Sequence, residues 1–182
     1  MSRLSAVRLA IAGLVLVALT VSAAEAQSRR PVRDGFWFSG GLGYGTLGCQ
    51  ECDSRIGGLV GGLVFGGSLS QTVLLGVGTA NWVRSEDGAT LTAGTLDARF
   101  RFYPTRKTGF FLTAGLGIGS ISADVDGLGS ASATGVSAVA GLGYDIPIGK
   151  NASLTPFLNA VGIASDNADA NFNQIGLALT LH

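Results

Sequence analysis

Charge is what this sequence has least of. Asp, Glu, Lys and Arg make up 13% of its 182 residues, against the quarter or so usual for a soluble domain. Proline is scarce at four, cysteine stands at two, and the only histidine is His182. Twelve basic residues balance twelve acidic ones, so there is no basic footprint of the kind nucleic-acid binding needs. Past the first 26 residues no apolar run reaches the roughly 20 residues of a membrane-spanning helix. What is plentiful is hydrophobic residues, at 47%, and glycine, at 29 residues. Glycine costs helix stability and suits tightly twisted strands. High apolar content without a spanning helix leaves two arrangements: a large buried core, or a barrel whose apolar face meets lipid.

The N-terminus has a processing pattern. Arg3 and Arg8 form a short basic start, Leu9 to Val21 is apolar and uncharged, and Ser22-Ala23-Ala24-Glu25-Ala26 supplies small residues. That three-part order is a secretory signal, and its apolar run is too short for a spanning helix. The cut is placed after Ala26, with Ala24 as the second choice. No cysteine lies near it to carry a lipid anchor. Removing residues 1–26 takes away Arg3, Arg8 and Glu25 and leaves 156 residues, 10 basic and 11 acidic. The expected organisation is a signal peptide over 1–26, a short periplasmic lead over 27–34 and one β domain over 35–182.

The rest divides into eight runs with strand character: Gly35–Leu47, Ile56–Gly67, Thr72–Arg84, Thr90–Tyr103, Phe110–Ser122, Val136–Pro147, Ser153–Ala164 and Phe172–His182. They are long for globular strands and near the span of a tilted transmembrane strand. Period-two alternation is clear in several of them. Leu96, Ala98, Phe100 and Phe102 alternate with Thr95, Asp97, Arg99 and Arg101. Ile175, Leu177, Leu179 and Leu181 alternate with Gln174, Gly176, Ala178 and Thr180. In the fifth and sixth runs bulky apolar residues alternate mostly with glycine or polar ones. One apolar face and one small or polar face is how a membrane barrel reads: lipid on one side, lumen on the other.

Two further patterns agree. Phe36, Phe38, Phe100, Phe102, Tyr103, Phe110 and Tyr144 fall toward one end of their runs, where an aromatic girdle is expected. The links form two sets. Ser68–Gln71, Pro104–Gly109 and Ile148–Ala152 read as short turns; Gly48–Arg55, Ser85–Ala89, Ala123–Gly135 and Ser165–Asn171 read as the longer outer loops. The loop set gathers Glu51, Asp53, Glu86, Asp87, Asp124, Asp126, Asp166 and Asp169, whereas the turn side gathers Arg29, Arg30, Arg33, Arg106, Lys107 and Lys150.

The chain resembles the small outer-membrane barrels of the OmpA/OmpX type over essentially all of residues 27–182. The most specific likeness is the last run. Gln174, Gly176, Leu179 and Leu181 have the spacing of the C-terminal assembly signal: a polar residue, a glycine two later, then two hydrophobic residues one apart. Relatives usually end on an aromatic residue; this chain ends on His182. The resemblance implies an all-β, eight-stranded antiparallel up-and-down transmembrane barrel in a Gram-negative outer membrane, with periplasmic termini. It further implies insertion by the barrel assembly machinery, lipopolysaccharide as a neighbour, and a monomer with no cofactor.

Three groups could carry chemistry. Cys49 and Cys52 form a C-x-x-C in the first outer loop, and in an oxidising compartment two such cysteines pair as a disulfide. A zinc site there would want two more ligands. Asp97, Arg99, Arg101 and Asp145 point into the lumen when Phe100 and Phe102 face lipid, and they are expected to pair as an ion-pair plug, Arg101 with Asp97 or Asp145. Inward Gly115, Gly117, Gly119, Gly141 and Gly143 could leave wet cavities. Asp124-Val125-Asp126-Gly127 begins like a calcium loop, but the later ligand positions are missing. The leading functional expectation is a non-enzymatic structural or surface-interaction barrel. A narrow pore for small solutes is the alternative. A lipid A-modifying enzyme lacks a usable Ser–His pair, and a soluble lipocalin-like carrier would turn its polar face outward.

Overall fold

The computed structural model describes residues 33–49, 54–125, 127, 129–165 and 169–182. The expected signal segment, Cys52 and Asp126 lie outside the described residues. Long alternating runs dictate long strands: β1 (Phe36–Cys49), β2 (Ile56–Ser70), β3 (Val73–Glu86), β4 (Ala89–Phe102), β5 (Phe110–Val125), β6 (Gly129–Tyr144), the two-residue β7 (Ile146–Pro147), β8 (Ala152–Ala164) and β9 (Ala170–Leu181). β1 to β6 pair antiparallel in order, β8 pairs β6, β7 and β9, and β1 pairs β9, which closes the sheet. Closure leaves no open edge to template association.

The register fixes the shape. Paired residues lead from Phe38 to Phe65, Val77, Ala98, Leu116, Ala138, Gly162 and Asn171, then back to β1 at Gly48, ten residues beyond the start. That stagger is the shear of the barrel, and barrels staggered in this way tilt their strands by about 35–45°.

The two faces separate as the alternation requires. In β4, Leu96, Ala98, Phe100 and Phe102 are exposed while Thr95, Asp97, Arg99 and Arg101 are buried. Leu42 and Leu116 are 77% and 73% exposed on the outer wall. Leaving such side chains in water forgoes about 1.5–3 kcal/mol each, so a wall built of them is stable only against lipid. Phe36, Phe100, Phe102, Phe110 and Tyr144 lie on this outer wall at its turn-side end.

Some local features differ from the expectations. The strands run further outward than the alternation suggested. Segments read as loop at Ala123–Val125 and Gly129–Gly135 continue the β5–β6 ladder to Val125↔Gly129. Small, polar Ser and Ala residues had hidden the strand. The Ser85–Ala89 link is a two-residue turn, since Glu86 pairs with Ala89 and both Asp87 (φ 50) and Gly88 (φ 77) are left-handed. Asp-Gly is the preferred pair for that tight hairpin. Outer links are therefore not uniformly longer than the turns. Tyr103, placed in the girdle from sequence, is fully buried inside the barrel. It shares the odd-numbered phase of Arg99 and Arg101, so alternation itself sends it inward.

Candidate functional site

The candidate site is the lumen, which four layers fill. The lowest lies at the turn side and is built round Asp145. Its backbone N–H bonds to Gly109 O at 3.0 Å, continuing the ladder beyond β6. A Cβ on Gly109 would sit 2.0 Å from the Asp145 carbonyl oxygen, so this approach needs glycine. The Asp145 carboxylate accepts from Thr155 Oγ1 and from Tyr103 OH, both at 2.7 Å. His182 Nε2 lies 3.4 Å from the same carboxylate and Arg33 Nε 4.0 Å. Thr155 Oγ1 is also 2.8 Å from Thr180 Oγ1, which is 2.9 Å from Ser39 Oγ. A hydroxyl has one proton. Thr155 spends its proton on the carboxylate, so Thr180 donates to Thr155 and Ser39 donates to Thr180. Arg33 closes the layer from below: its guanidinium stacks 3.6 Å from the Tyr103 ring centroid, and Nη2 donates to Thr108 O at 2.9 Å. Residue 33 was expected in an exposed lead; it is instead 1% exposed, inside the base of the barrel.

The second layer is aromatic and apolar: Trp37, Val64, Leu74, Tyr103 and Phe111. Arg101 lies across it, its guanidinium carbon 4.5 Å from the Trp37 ring and 4.0 Å from the Phe111 ring. Arg101 makes no ion pair within 4.0 Å among the described residues, which corrects the expected Arg101–Asp145 or Arg101–Asp97 bridge. Tyr103, Thr155 and Arg33 surround the Asp145 carboxylate instead.

The third layer is polar. Arg99 donates from Nε to Asp97 Oδ1 at 2.6 Å and from Nη2 to Asp97 Oδ2 at 2.8 Å, and Thr95 Oγ1 donates to Oδ2 at 3.0 Å. Gly115 faces the pair, where a Cβ would meet Asp97 Oδ1 at 2.5 Å. Gln174 points inward here: it donates to Asn81 O and accepts from Asn159 Nδ2, each at 3.2 Å. The Phe157 ring covers Gly176, a Cβ there meeting it at 2.8 Å, while Leu179 and Leu181 face outward.

The fourth layer closes the loop-side half. Leu47, Val60, Trp82, Ala93, Val139, Val161, Ile163 and Phe172 belong to one buried apolar cluster. Most of them sit within a few residues of the loop end of their strands. Trp82 Nε1 donates to Gly45 O at 3.3 Å, which satisfies the one polar atom of that side chain. The lumen is thus not simply small or polar. The inward glycines are covered rather than open, Gly119 by Ile163 and Gly143 by Phe111. A cavity of about 40 Å³ in the lumen is lined by Arg99, Arg101, Phe111, Thr113, Asn159 and Gln174 among others.

Of the residues singled out from sequence, Asp97, Arg99, Arg101 and Asp145 all point inward, but they do not form one cluster. Asp97 and Arg99 pair with each other, whereas Asp145 joins a separate network. Cys49 ends β1 opposite Ala170, and its pairing with Cys52 falls outside the described residues. Arg33, Trp37, Tyr103, Thr155, Thr180 and His182 were missed. All but Thr180 and His182 are odd-numbered and in phase with a lumen residue of their own segment; Thr180 is in phase with Gln174. Among the described residues no three His, Cys, Asp or Glu side chains are grouped to hold a metal.

Comparison with solved structures settles the architecture. Ail, the attachment invasion locus protein of Yersinia pestis, superposes with a TM-score of 0.61 at 14% identity, covering 82% of this chain and 100% of that one. Neisserial surface protein A superposes with a TM-score of 0.60 at 12% identity, covering 81% of this chain and 96% of that one. A second Ail structure, in complex with the heparin analogue sucrose octasulfate, gives 0.61 at 15% identity, with 82% and 100% covered. These neighbours are small eight-stranded outer-membrane barrels. The fold is that of a small outer-membrane β-barrel. No protein-family model and no curated protein sequence matches the chain. At these identities the likeness speaks for the barrel fold alone.

Proposed function

We propose that this chain resides in a Gram-negative outer membrane as a closed barrel, acting through its lipid-facing wall and outer loops rather than by passing solutes. One observation carries the reading: four layers of buried side chains fill the lumen along its length. A solute pathway needs a continuous wet bore, and eight strands leave an interior that side chains can fill. Here a polar plug blocks the turn side and an apolar plug blocks the loop side. A surface role accords with the names of the neighbours, an attachment invasion protein and a surface protein. The only histidine is engaged with Asp145 inside the base, away from the lipid face, which argues against lipid-modifying chemistry.

Two measurements test this. In planar bilayers the purified barrel gives no conductance steps above the bare membrane; regular steps would overturn closure. An epitope inserted at Gly127 is detected on intact cells, whereas one inserted in the Thr105–Thr108 turn is detected only after the outer membrane is breached. The reverse pattern would invert the orientation.

A further inference from the structure

The lumen arginines are not equivalent. Arg99 is held by Asp97, and Arg33 lies 4.0 Å from Asp145. Arg101 has no carboxylate within 4.0 Å among the described residues, although it is only 5% exposed. The Trp37 and Phe111 ring centroids lie 4.5 and 4.0 Å from its guanidinium carbon. Those contacts do not supply acceptors for the five in-plane N–H donors of a guanidinium. Two edge nitrogens, Nε and Nη1, are buried with no hydrogen-bond partner. Arg101 is also a wall of the 40 Å³ cavity in the lumen.

The Asp145 charge reaches Arg101 only from beyond ion-pair distance, and that carboxylate is shared with Tyr103, Thr155, His182 and Arg33. A buried cation so weakly compensated is costly, and so is a buried N–H without an acceptor. Water in the cavity answers only the second cost. An anion answers both. The geometry points to a binding site for a small inorganic anion, a halide such as chloride, held in this cavity by the edge of Arg101. The cavity has room for a halide with accompanying water. A halide brings one charge and no fixed set of oxygens that the surrounding donors must match. Recognition falls chiefly to Arg101, the charged donor with unpaired N–H groups; Thr113 donates to Phe100 O at 3.0 Å and Ser39 to Thr180. The site does not depend on the proposed surface role. It stands or falls on the lumen alone.

Since both ends are closed, the anion is supplied during folding. The urea-unfolded chain is refolded into detergent in sodium chloride, bromide, gluconate or sulfate at matched ionic strength. Above the dissociation constant, each tenfold rise in chloride or bromide shifts the wild-type unfolding equilibrium about tenfold, as binding to the folded state alone requires. Arg101→Gln loses that dependence, and Arg101→Lys, which keeps the charge, retains it. Sulfate stabilises wild type and variants alike, through exclusion from the protein surface. Crystals of the wild type grown from bromide show an anomalous peak beside Arg101 Nε and Nη1; this readout needs no variant to fold. Equal halide responses in wild type and Arg101→Gln, or a bromide-grown crystal with only water at Arg101, would overturn the proposal.

Discussion

Arg99 grips Asp97 from two positions away on its own strand, through two hydrogen bonds of 2.6 and 2.8 Å. Residues two apart share a strand face, so the pair forms without help from any other strand. Gly115 opposite leaves it room. Asp97→Leu strands a buried guanidinium and should cost about 3–5 kcal/mol. The double variant Asp97→Leu with Arg99→Leu removes both charges and should recover a large part of that loss. Urea unfolding followed by heat-modifiable gel mobility measures both. Equal losses in the single and double variants would mean that packing, not charge, holds this layer.

Arg101 behaves differently because aromatic rings hold it. In halide-free buffer, Arg101→Leu should cost no more than about 2 kcal/mol, the upper range of desolvated cation–π contacts. The informative result is the order: Asp97→Leu well below Arg101→Leu in stability. The opposite order would restore an ion pair to Arg101.

Tyr103→Phe isolates one bond of the basal network. The ring stays above Arg33, and the 2.7 Å hydrogen bond to Asp145 is lost. Hydrogen bonds to charged groups are worth about 1.5–3 kcal/mol, and Thr155 and His182 remain to hold the carboxylate, so the lower part of that range is expected. A change within error of zero in urea unfolding would show that the phenol contributes nothing there.

These contrasts mark how far the sequence could be read. Alternation in β4, β5, β6 and β9 gave the wall, its facing and eight strands, because lipid on one side and lumen on the other impose period two on every residue. It failed where that contrast fades. Ser130, Ser132 and Ala131 extend β6 above the lipid belt, where both faces are solvated, so no pattern marks them as strand. Within the lumen, phase told which residues point inward but not which ones meet. Asp145 and Arg101 are both inward, yet Tyr103, Thr155 and Arg33 claim the carboxylate. Those contacts come from three segments brought together only by the ten-residue stagger of the closed sheet. The Asp97–Arg99 pair was accessible because it is local.

Closure is shared by the stacked layers of the lumen, which gives a graded test of conduction. Arg33→Ala with Tyr103→Ala empties much of the base, but the cluster around Trp82 and Phe172 still blocks the loop side. Trp82→Ala with Phe172→Ala empties that cluster and leaves the base intact. Neither pair should conduct in planar bilayers, nor should all four together while the Trp37 and Phe111 rings still fill the middle; adding Trp37→Ala and Phe111→Ala should give steps. Conduction from the basal pair alone would show that the apolar layer does not seal.

The last prediction concerns the outer wall and the terminal strand. Leu116 is 73% exposed at the centre of β5, and Leu179 and Leu181 are exposed on β9. If this wall meets lipid, Leu116→Arg places a charge in hydrocarbon at a cost of about 2–4 kcal/mol. Ser122→Arg, three periods of the alternation further toward the loops, should cost almost nothing. In water the order would vanish, since an arginine at position 116 would be as well solvated as one at 122. Leu179→Asp and Leu181→Asp add a second effect, because they alter the strand whose Gln174, Gly176, Leu179 and Leu181 spacing resembles an assembly signal. A carboxylate near the edge of the belt costs less than an arginine at its middle. A purely energetic effect therefore leaves folding in detergent nearly intact. A recognition effect lowers the amount of folded barrel in cells well beyond that small loss, while Asp124→Ala changes neither. Comparing refolding in detergent with barrel yield from outer membranes separates the two. Equal cellular yields for wild type, Leu179→Asp and Leu181→Asp would remove the signal reading and leave β9 as an ordinary closing strand.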